Sequence, residues 1–106
     1  MTTNDQTYNG WTNYPTWNVA LWTVDYYQEI AQEFYDDAEE VEYASKSTVA
    51  RMNLADQMET EFVERYAEEE SGPMADIFSW AVSNVNWTEL ADHALDDVEG
   101  YGAEGY

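Results

Sequence analysis

The chain has 106 residues, of which 44% are hydrophobic and 16% aromatic, and its 23 Asp and Glu against three Lys and Arg give a formal net charge of −20. This length suits one domain with one core, and the aromatic content excludes the disordered acidic tails that are poor in aromatic residues. The absence of cysteine excludes disulfides and thiolate zinc sites, and the charge argues against direct binding of nucleic acid or anionic membranes.

Neither a membrane span nor a secretion signal is evident in the sequence. No apolar run reaches the ~20 residues that a transmembrane helix needs. The first residues, Met1 to Asp5, have neither a basic n-region nor an apolar h-region. We therefore expect a cytoplasmic protein.

Two helices are predicted in the first 42 residues, separated by a capping signal. The first covers about 13–23, with Thr12 as its N-cap and Pro15 tolerated in its first turn. Asp25 followed by Gln28 resembles a capping box and starts a second helix that runs to about residue 42. Their predicted inner faces carry Tyr14, Trp17, Leu21 and Val24 on the first helix, with Trp22 beside them, and Tyr27, Ile30, Ala31, Phe34, Ala38 and Val41 on the second.

Three further helices are predicted after a short break at residues 45–47. They cover about 48–69, 73–84 and 87–98, with Gly72 and Pro73 between the first two and Asn86 with Glu89 as a capping box for the last. Their inner faces are Met52, Ala55, Met58, Phe62, Val63 and Tyr66; then Met74, Ile77, Phe78, Ala81, Val82 and Val85; then Trp87, Leu90, Ala91, Ala94, Leu95 and Val98.

Five helices that each have an apolar face must bury those faces against one another. The predicted fold is therefore all-α, a compact bundle of four to five short amphipathic helices. We expect a flexible N-terminus at 1–11, a single helical domain at 12–98 and a flexible Gly-rich tail at 99–106.

Acidic residues concentrate on three of the predicted helices. Residues 1–24 contain one acid, whereas residues 25–42 contain eight, residues 56–70 contain seven and residues 89–99 contain five. Several like charges at helical spacing mildly destabilise a helix, which suggests that a function selects for them. The candidate partner-binding residues are Glu29, Glu33, Asp36, Asp37, Glu40, Glu61, Glu64 and Glu68.

Three interpretations of this charge compete. On the second predicted helix, Glu29, Glu33, Asp36 and Glu40 step ~4.5–6 Å along the axis, and phosphates of one DNA strand advance ~3.4 Å. The stripe can thus mimic a phosphate row and occupy the basic surface of a nucleic-acid-binding protein. The acid can instead be an adaptation to high internal salt, or simply a solvated face.

Few residues offer catalytic or metal-binding chemistry. His93 has Glu89 and Asp97 four residues to either side, but a single histidine is more typical of a helix-surface contact than of a zinc site. No Ser-His-Asp signature, glycine-rich phosphate loop or EF-hand loop occurs. We predict no enzymatic activity, no cofactor and no metal site, and expect Arg51 and Arg65 to pair with acids within their own helices.

The most distinctive segment is Asn9-Gly10-Trp11-Thr12-Asn13-Tyr14-Pro15-Thr16-Trp17-Asn18-Val19-Ala20-Leu21-Trp22. Its aromatic residues predict either a core cluster at a helix start or an exposed aromatic patch formed by Trp11, Tyr14 and Trp17. Pairing through these neutral aromatics would give a homodimer or a structural homo-oligomer, a further alternative for the function.

This segment resembles small proteins of phages, plasmids and prophage-rich genomes that begin with an Asn-Gly-Trp/Tyr-Thr-Asn-Tyr-Glu-Thr-Trp-Asn-like motif. Their last segment is similar to Val85-Asn86-Trp87-Thr88-Glu89-Leu90-Ala91. Here Pro15 replaces the usual Glu. The resemblance implies a mobile-element context and a place in the host cytoplasm, and brings no site residues with it. Together with the acid stripes, it favours an inhibitor of host defence of the anti-restriction or anti-CRISPR type.

Overall fold

Four helices form the part of the chain that the computed structural model describes, residues 9–66 and 72–102. They are α1 (Tyr14–Asp37), α2 (Lys46–Tyr66), α3 (Pro73–Asn84) and α4 (Trp87–Leu95). The described residues contain no strand, and an isolated bridge pairs Val41 with Ala44 after α1. The predicted all-α bundle of short helices is confirmed. None of these helices is long and apolar enough to cross a membrane.

One continuous helix, α1, replaces the two helices that the capping signal at Asp25 predicts. Asp25 and Gln28 lie on its exposed side, while Val24 and Tyr27 are buried on its inner side. The predicted break was wrong because burial continues through this point, and tertiary packing of an apolar stripe outweighs a local capping preference. A further difference is the end of α1, which lies at Asp37 rather than near residue 42.

The connection after α1 is held by Lys46, the first residue of α2. Its ammonium group donates to the carbonyls of Ala38 at 2.7 Å and Asp36 at 3.3 Å, and lies 4.8 Å from the centre of the Tyr35 ring. A cation at this end satisfies carbonyls that the helix leaves without partners. The predicted extension of α2 to residue 69 lies outside the described residues.

The core lies where α4 packs between α1 and α2. Its largest fully buried apolar side chains are Leu54 and Met58 of α2 and Leu90 and Leu95 of α4. On the side of α1 it contains Val19, Ala20, Val24, Tyr27, Ala31 and Tyr35. Tyr35 was not among the residues predicted to face inward.

Several residues predicted to face the core are exposed instead. On α1, Tyr14 and Leu21 point to solvent because the buried stripe of the continuous helix passes through Thr16, Val19 and Ala20. The same correction applies to Trp22, Val41, Met52, Tyr66, Met74 and Ile77. No residue of α3 is buried, so its apolar pattern does not describe a core helix.

The described part of the predicted flexible tail is held against the helices. The Tyr35 hydroxyl donates to the carbonyl of Gly100 at 2.9 Å, and the amide of Gly102 donates to the Ser47 hydroxyl at 2.7 Å. Gly100 has a φ of 95°, which favours glycine. Helix α4 ends at Leu95 rather than at 98, and a turn in which the Val98 amide donates to the carbonyl of Leu95 follows it.

Candidate functional site

The outer side of the second half of α1 carries an acidic face, formed by Glu29, Glu33, Asp36 and Asp37. All four are exposed. Glu29 and Asp36 are seven residues apart, which places them ~10 Å apart along the helix axis. Glu40 was predicted to extend this row, but it follows the end of α1 and lies in the connection to α2. The helical part of the stripe is therefore one turn shorter than predicted.

The acids predicted on α2 do not form a second stripe of the same kind. Glu64 is exposed, but Glu61 is half-buried and accepts hydrogen bonds from the Tyr27 hydroxyl and the Gln57 amide. Glu61 thus faces α1 rather than solvent, and Glu68 lies outside the described residues. Exposed acids that were not chosen beforehand include Asp56 and Glu59 on α2 and Asp92, Asp96 and Asp97 at the end of α4.

Two of the three cationic side chains are engaged in contacts within the fold. Lys46 binds the carbonyls at the end of α1. Arg51 donates to the Tyr101 hydroxyl at 2.8 Å and lies 3.9 Å from the Asp92 carboxylate. Arg51 therefore connects α2 to Asp92 of α4 and to Tyr101. The prediction that it pairs with an acid of its own helix was wrong. Lys46 therefore lies at the end of the acidic face, beside Asp36, while Arg51 is held by Tyr101 and Asp92.

The two segments that resemble mobile-element proteins meet at one end of the bundle. Asn13, not the predicted Thr12, is the N-cap of α1; its side-chain oxygen accepts from the Thr16 amide at 3.0 Å and the Thr16 hydroxyl at 2.7 Å. Its amide group donates to the carbonyl of Asn84 at 2.8 Å. Asn86 is the N-cap of α4, as predicted, and accepts from the Glu89 amide at 3.0 Å.

Further hydrogen bonds tie these two caps to each other. The backbone amide of Asn86 donates to the Thr16 hydroxyl at 2.9 Å, and its side chain donates to the Thr12 hydroxyl at 3.2 Å. The Thr12 amide donates to the Glu89 carboxylate at 3.0 Å. In a capping box Glu89 would accept from the backbone amide of Asn86, but here it accepts from the amide of Thr12 in the other segment. We call Thr12, Asn13, Thr16, Asn84, Asn86 and Glu89 the double-cap network.

The aromatic residues of this signature divide between core and surface. Trp11 is half-buried, packs against the core and has its ring 4.9 Å from that of His93. Tyr14 is exposed, with its ring 5.5 Å from that of the half-buried Trp17. The three residues therefore do not form one exposed patch, and the signature chiefly builds the double-cap network.

A cavity of about 590 Å³ lies between α1, α2 and the start of α4. Half of its lining is aromatic and includes Trp22, Tyr26, Phe62, Tyr66 and Trp87, and its charged groups are Glu61, Glu64 and Arg65. Burial raises the pKa of Tyr27 above its usual range, and the hydrogen bond to the Glu61 carboxylate adds to this shift. Tyr27 therefore keeps its proton at neutral pH and acts as a hydrogen-bond donor, not as a general base.

Metal-binding geometry is not found in the described residues. No group of three or more His, Asp or Glu side chains gathers there. His93 contacts Trp11, and Glu89 belongs to the double-cap network. The main features of the described surface are thus the acidic face and the exposed apolar side chains.

Comparison with known proteins places the chain in a family. Neither the curated proteins nor the solved structures include a match. A family model described as a family of unknown function, DUF7249, matches residues 4–100. This match includes both segments of the double-cap network and all four helices. The chain belongs to the family of unknown function DUF7249.

Proposed function

We propose that this chain is a non-enzymatic inhibitor that presents DNA-like charge to the basic surface of a nucleic-acid-binding host protein. The observation that carries the proposal is the acidic face of α1, where Glu29, Glu33, Asp36 and Asp37 are exposed. A basic groove that normally neutralises phosphates gains the same release of counterions when it binds these carboxylates.

The placement of the cations supports this proposal. Helix α1 contains no Lys or Arg, and Lys46, which lies at its end, donates to the backbone carbonyls of Asp36 and Ala38. Arg51 is held by Tyr101 and Asp92. The chain as a whole carries a charge of −20. The long-range field of such a protein steers basic partners toward it and speeds their association.

The context of the proposal is a phage or another mobile element, as the resemblance of residues 9–22 and 85–95 implies. Such elements gain from blocking host nucleases, so restriction and CRISPR nucleases are the partner class that we propose. In that setting the protein acts in the host cytoplasm.

The test uses the intact chain and a variant with a neutral acidic face, Glu29→Gln/Glu33→Gln/Asp36→Asn/Asp37→Asn. The matched control, Asp76→Asn/Asp96→Asn/Asp97→Asn/Glu99→Gln, removes four exposed acids from other places. Each immobilised protein is incubated with host lysate at low and at high salt. Captured proteins are then tested for binding to a labelled DNA duplex in the presence of each soluble chain.

We expect the wild-type chain and the control to retain a basic nucleic-acid-binding protein at low salt and to displace its DNA. The neutral-face variant should lose this capture at least tenfold. Recovery of no such partner at low salt, or equal capture by all three chains, would count against the proposal.

Adaptation to high salt is the second candidate, and one observation favours it. Exposed acids also lie on α2 and after α4, as Asp56, Glu59, Asp96 and Asp97 show, so the acid is not limited to a single face. Under this interpretation the protein is a helical accessory domain of a halophile, and its acids serve solubility. The salt dependence of the protein's thermal stability separates the two candidate functions.

A further inference from the structure

Large apolar side chains are exposed on two neighbouring helices. After the first turn of α1 they are Leu21, Trp22 and Tyr26, and on α3 they are Met74, Ile77 and Trp80. We call these six residues the apolar face. Each is more than half exposed, and Trp22 is the most exposed at 74%. The residues of α3 follow one another at intervals of three and so lie along one side of that helix.

The two halves of the apolar face belong to one part of the molecule. Helices α1 and α3 pack against each other. The side-chain amide of Asn13, at the start of α1, donates to the carbonyl of Asn84, at the end of α3. The inner side of α3 is only half-buried, through Phe78 and Val82, so its outer side gains no cover from the rest of the described fold.

The two helices that carry the apolar face contribute few charges to it, while Glu61, Glu64 and Arg65 of α2 line the cavity beside Trp22 and Tyr26. Helix α1 has no charged residue before Asp25, and α3 has only Asp76. A basic partner finds little to attract it here, and the protein's net charge of −20 repels an anionic membrane. A second copy of the chain, in contrast, meets fewer like charges on α1 and α3 here than at the acidic face of α1.

The exposed area suits a dimer. Side chains of this size expose on the order of 100–200 Å² each at these fractions, so the apolar face offers on the order of 800 Å². A standard protein interface buries about 800 Å² on each partner. Monomeric proteins rarely expose an apolar patch larger than about 300–600 Å².

We propose that the chain forms a symmetric homodimer through the apolar face of α1 and α3. In a two-fold dimer the same patch serves both copies, and this face is apolar enough to be self-complementary. The interface differs from the patch of Trp11, Tyr14 and Trp17 considered first. Trp11 and Trp17 are partly buried, whereas Trp22 and Trp80 are exposed to solvent.

Sedimentation of the intact chain tests the proposal. The dimer variant is Trp22→Ser/Trp80→Ser, and the matched control is Tyr43→Ser, which removes an aromatic ring that is 87% exposed in the connection between α1 and α2. We expect twice the monomer mass for the wild type and the control, and the monomer mass for the dimer variant with an unchanged helical circular dichroism signal.

Salt gives a second readout that the proposed inhibitor function does not share. Screening reduces the repulsion between two acidic copies, so the dimer should tighten as salt rises, whereas binding to a basic partner should weaken. A single variant, Ile77→Glu, should also be monomeric, and it changes an exposed position that the fold does not need. Interfaces of this size bind in the micromolar range or tighter. A wild-type chain that is a monomer at ~100 µM, at low salt and at high salt, would therefore overturn the proposed dimer. It is equally overturned if Ile77→Glu stays dimeric.

Discussion

At the scale of single residues, Asn13 makes three side-chain hydrogen bonds at the start of α1. Two of them connect it to Thr16, and the third reaches the carbonyl of Asn84. An asparagine inside a helix competes for backbone hydrogen bonds, but as an N-cap it satisfies an amide that the helix leaves free. The short side chain thus both starts α1 and ties it to the end of α3.

Replacement of this cap is expected to destabilise the fold. Asn13→Ala should lower the free energy of unfolding by about 1–2 kcal/mol, from the lost cap and the lost bond to Asn84. Urea denaturation measures this change. Asn53→Ala, at an exposed position of α2, is the control and should stay within about 0.5 kcal/mol of the wild type. Equal effects of the two substitutions would contradict the role of Asn13.

Tyr101 links three parts of the chain through its hydroxyl group. The hydroxyl accepts from Arg51 at 2.8 Å and donates to the Asp92 carboxylate at 2.6 Å. Burial, with the bond to Asp92 as a further cause, raises the pKa of Tyr101 to about 12. Because the folded protein holds this proton more tightly than the unfolded chain does, the stabilisation is complete below pH 10 and is lost as the pH rises from 10 to about 12.

Removal of this hydroxyl should therefore change both stability and its dependence on pH. Tyr101→Phe should lower the free energy of unfolding at neutral pH by about 1 kcal/mol and reduce the further loss between pH 10 and 12. Tyr27, whose pKa is also raised, keeps part of that loss. Denaturation at neutral pH and across the alkaline range provides the measurement, with Tyr43→Phe as the control. An unchanged alkaline slope would refute this account of Tyr101.

At the scale of secondary structure, the continuity of α1 makes Asp25 an interior helix residue, whereas its sequence context predicts an N-cap. Asp25 lies on the exposed side of an unbroken helix. Asp25→Ala should leave the protein as stable as before or more stable by up to about 0.5 kcal/mol, because alanine is the better helix former. A helix cap at this position would give the opposite sign, a loss of about 1 kcal/mol. Thermal unfolding distinguishes the two signs.

The segment after α4 depends on a close contact between Gly100 and α1. A side chain added at Gly100 would meet the Tyr35 ring at 3.1 Å, whereas one at Gly72 meets nothing within 4 Å. Both glycines have positive φ, so alanine is strained at either position. Gly100→Ala should thus destabilise the fold by about 1 kcal/mol more than Gly72→Ala does. Chemical denaturation of the two variants measures the difference, and equal losses would contradict the contact.

Local chemistry explains which helix boundaries were predictable. Gly72-Pro73 and Asn86 mark the starts of α3 and α4 correctly, because a proline or a capping asparagine acts within one turn. The same kind of signal at Asp25 failed, since buried residues on both sides decide whether a helix continues. A capping pattern alone does not report that burial.

The candidate site was predictable only in part, for a related reason. Helical spacing correctly places Glu29, Glu33 and Asp36 on an exposed face of α1. It cannot show that Glu61 turns toward Tyr27, nor that Thr12 and Glu89 meet, because those contacts join residues 34 and 77 positions apart. The exposure of Met74 and Ile77 was missed because an amphipathic pattern does not show whether the apolar side of a helix is covered by another helix.

At the scale of the whole molecule, the charge of −20 opposes the compact state. Screening acts over about 8 Å at physiological salt, which is close to the ~6 Å step between Glu29 and Glu33 along α1. Added salt should consequently stabilise the fold, and the size of that effect bears on the function.

We expect the chain to be folded at ~0.15 M salt and to melt at a higher temperature as salt is added. Circular dichroism melts from ~0.1 M to ~2 M salt measure this trend. The neutral-face variant Glu29→Gln/Glu33→Gln/Asp36→Asn/Asp37→Asn should respond less strongly. A wild-type chain that is unfolded below molar salt would favour the halophile interpretation over the inhibitor.

The double-cap network also determines when the fold can be completed during synthesis. Its contacts join residues 70 to 77 positions apart, so Thr12, Asn13 and Thr16 leave the ribosome long before their partners. At about 5–20 residues per second, that gap lasts several seconds or more. During this interval Thr12, Asn13 and Thr16 lack the partners that they bind in the folded chain, so the double-cap network forms only after α3 and the start of α4 have been synthesised. A chain truncated before Asn84 has none of these partners and cannot form the network.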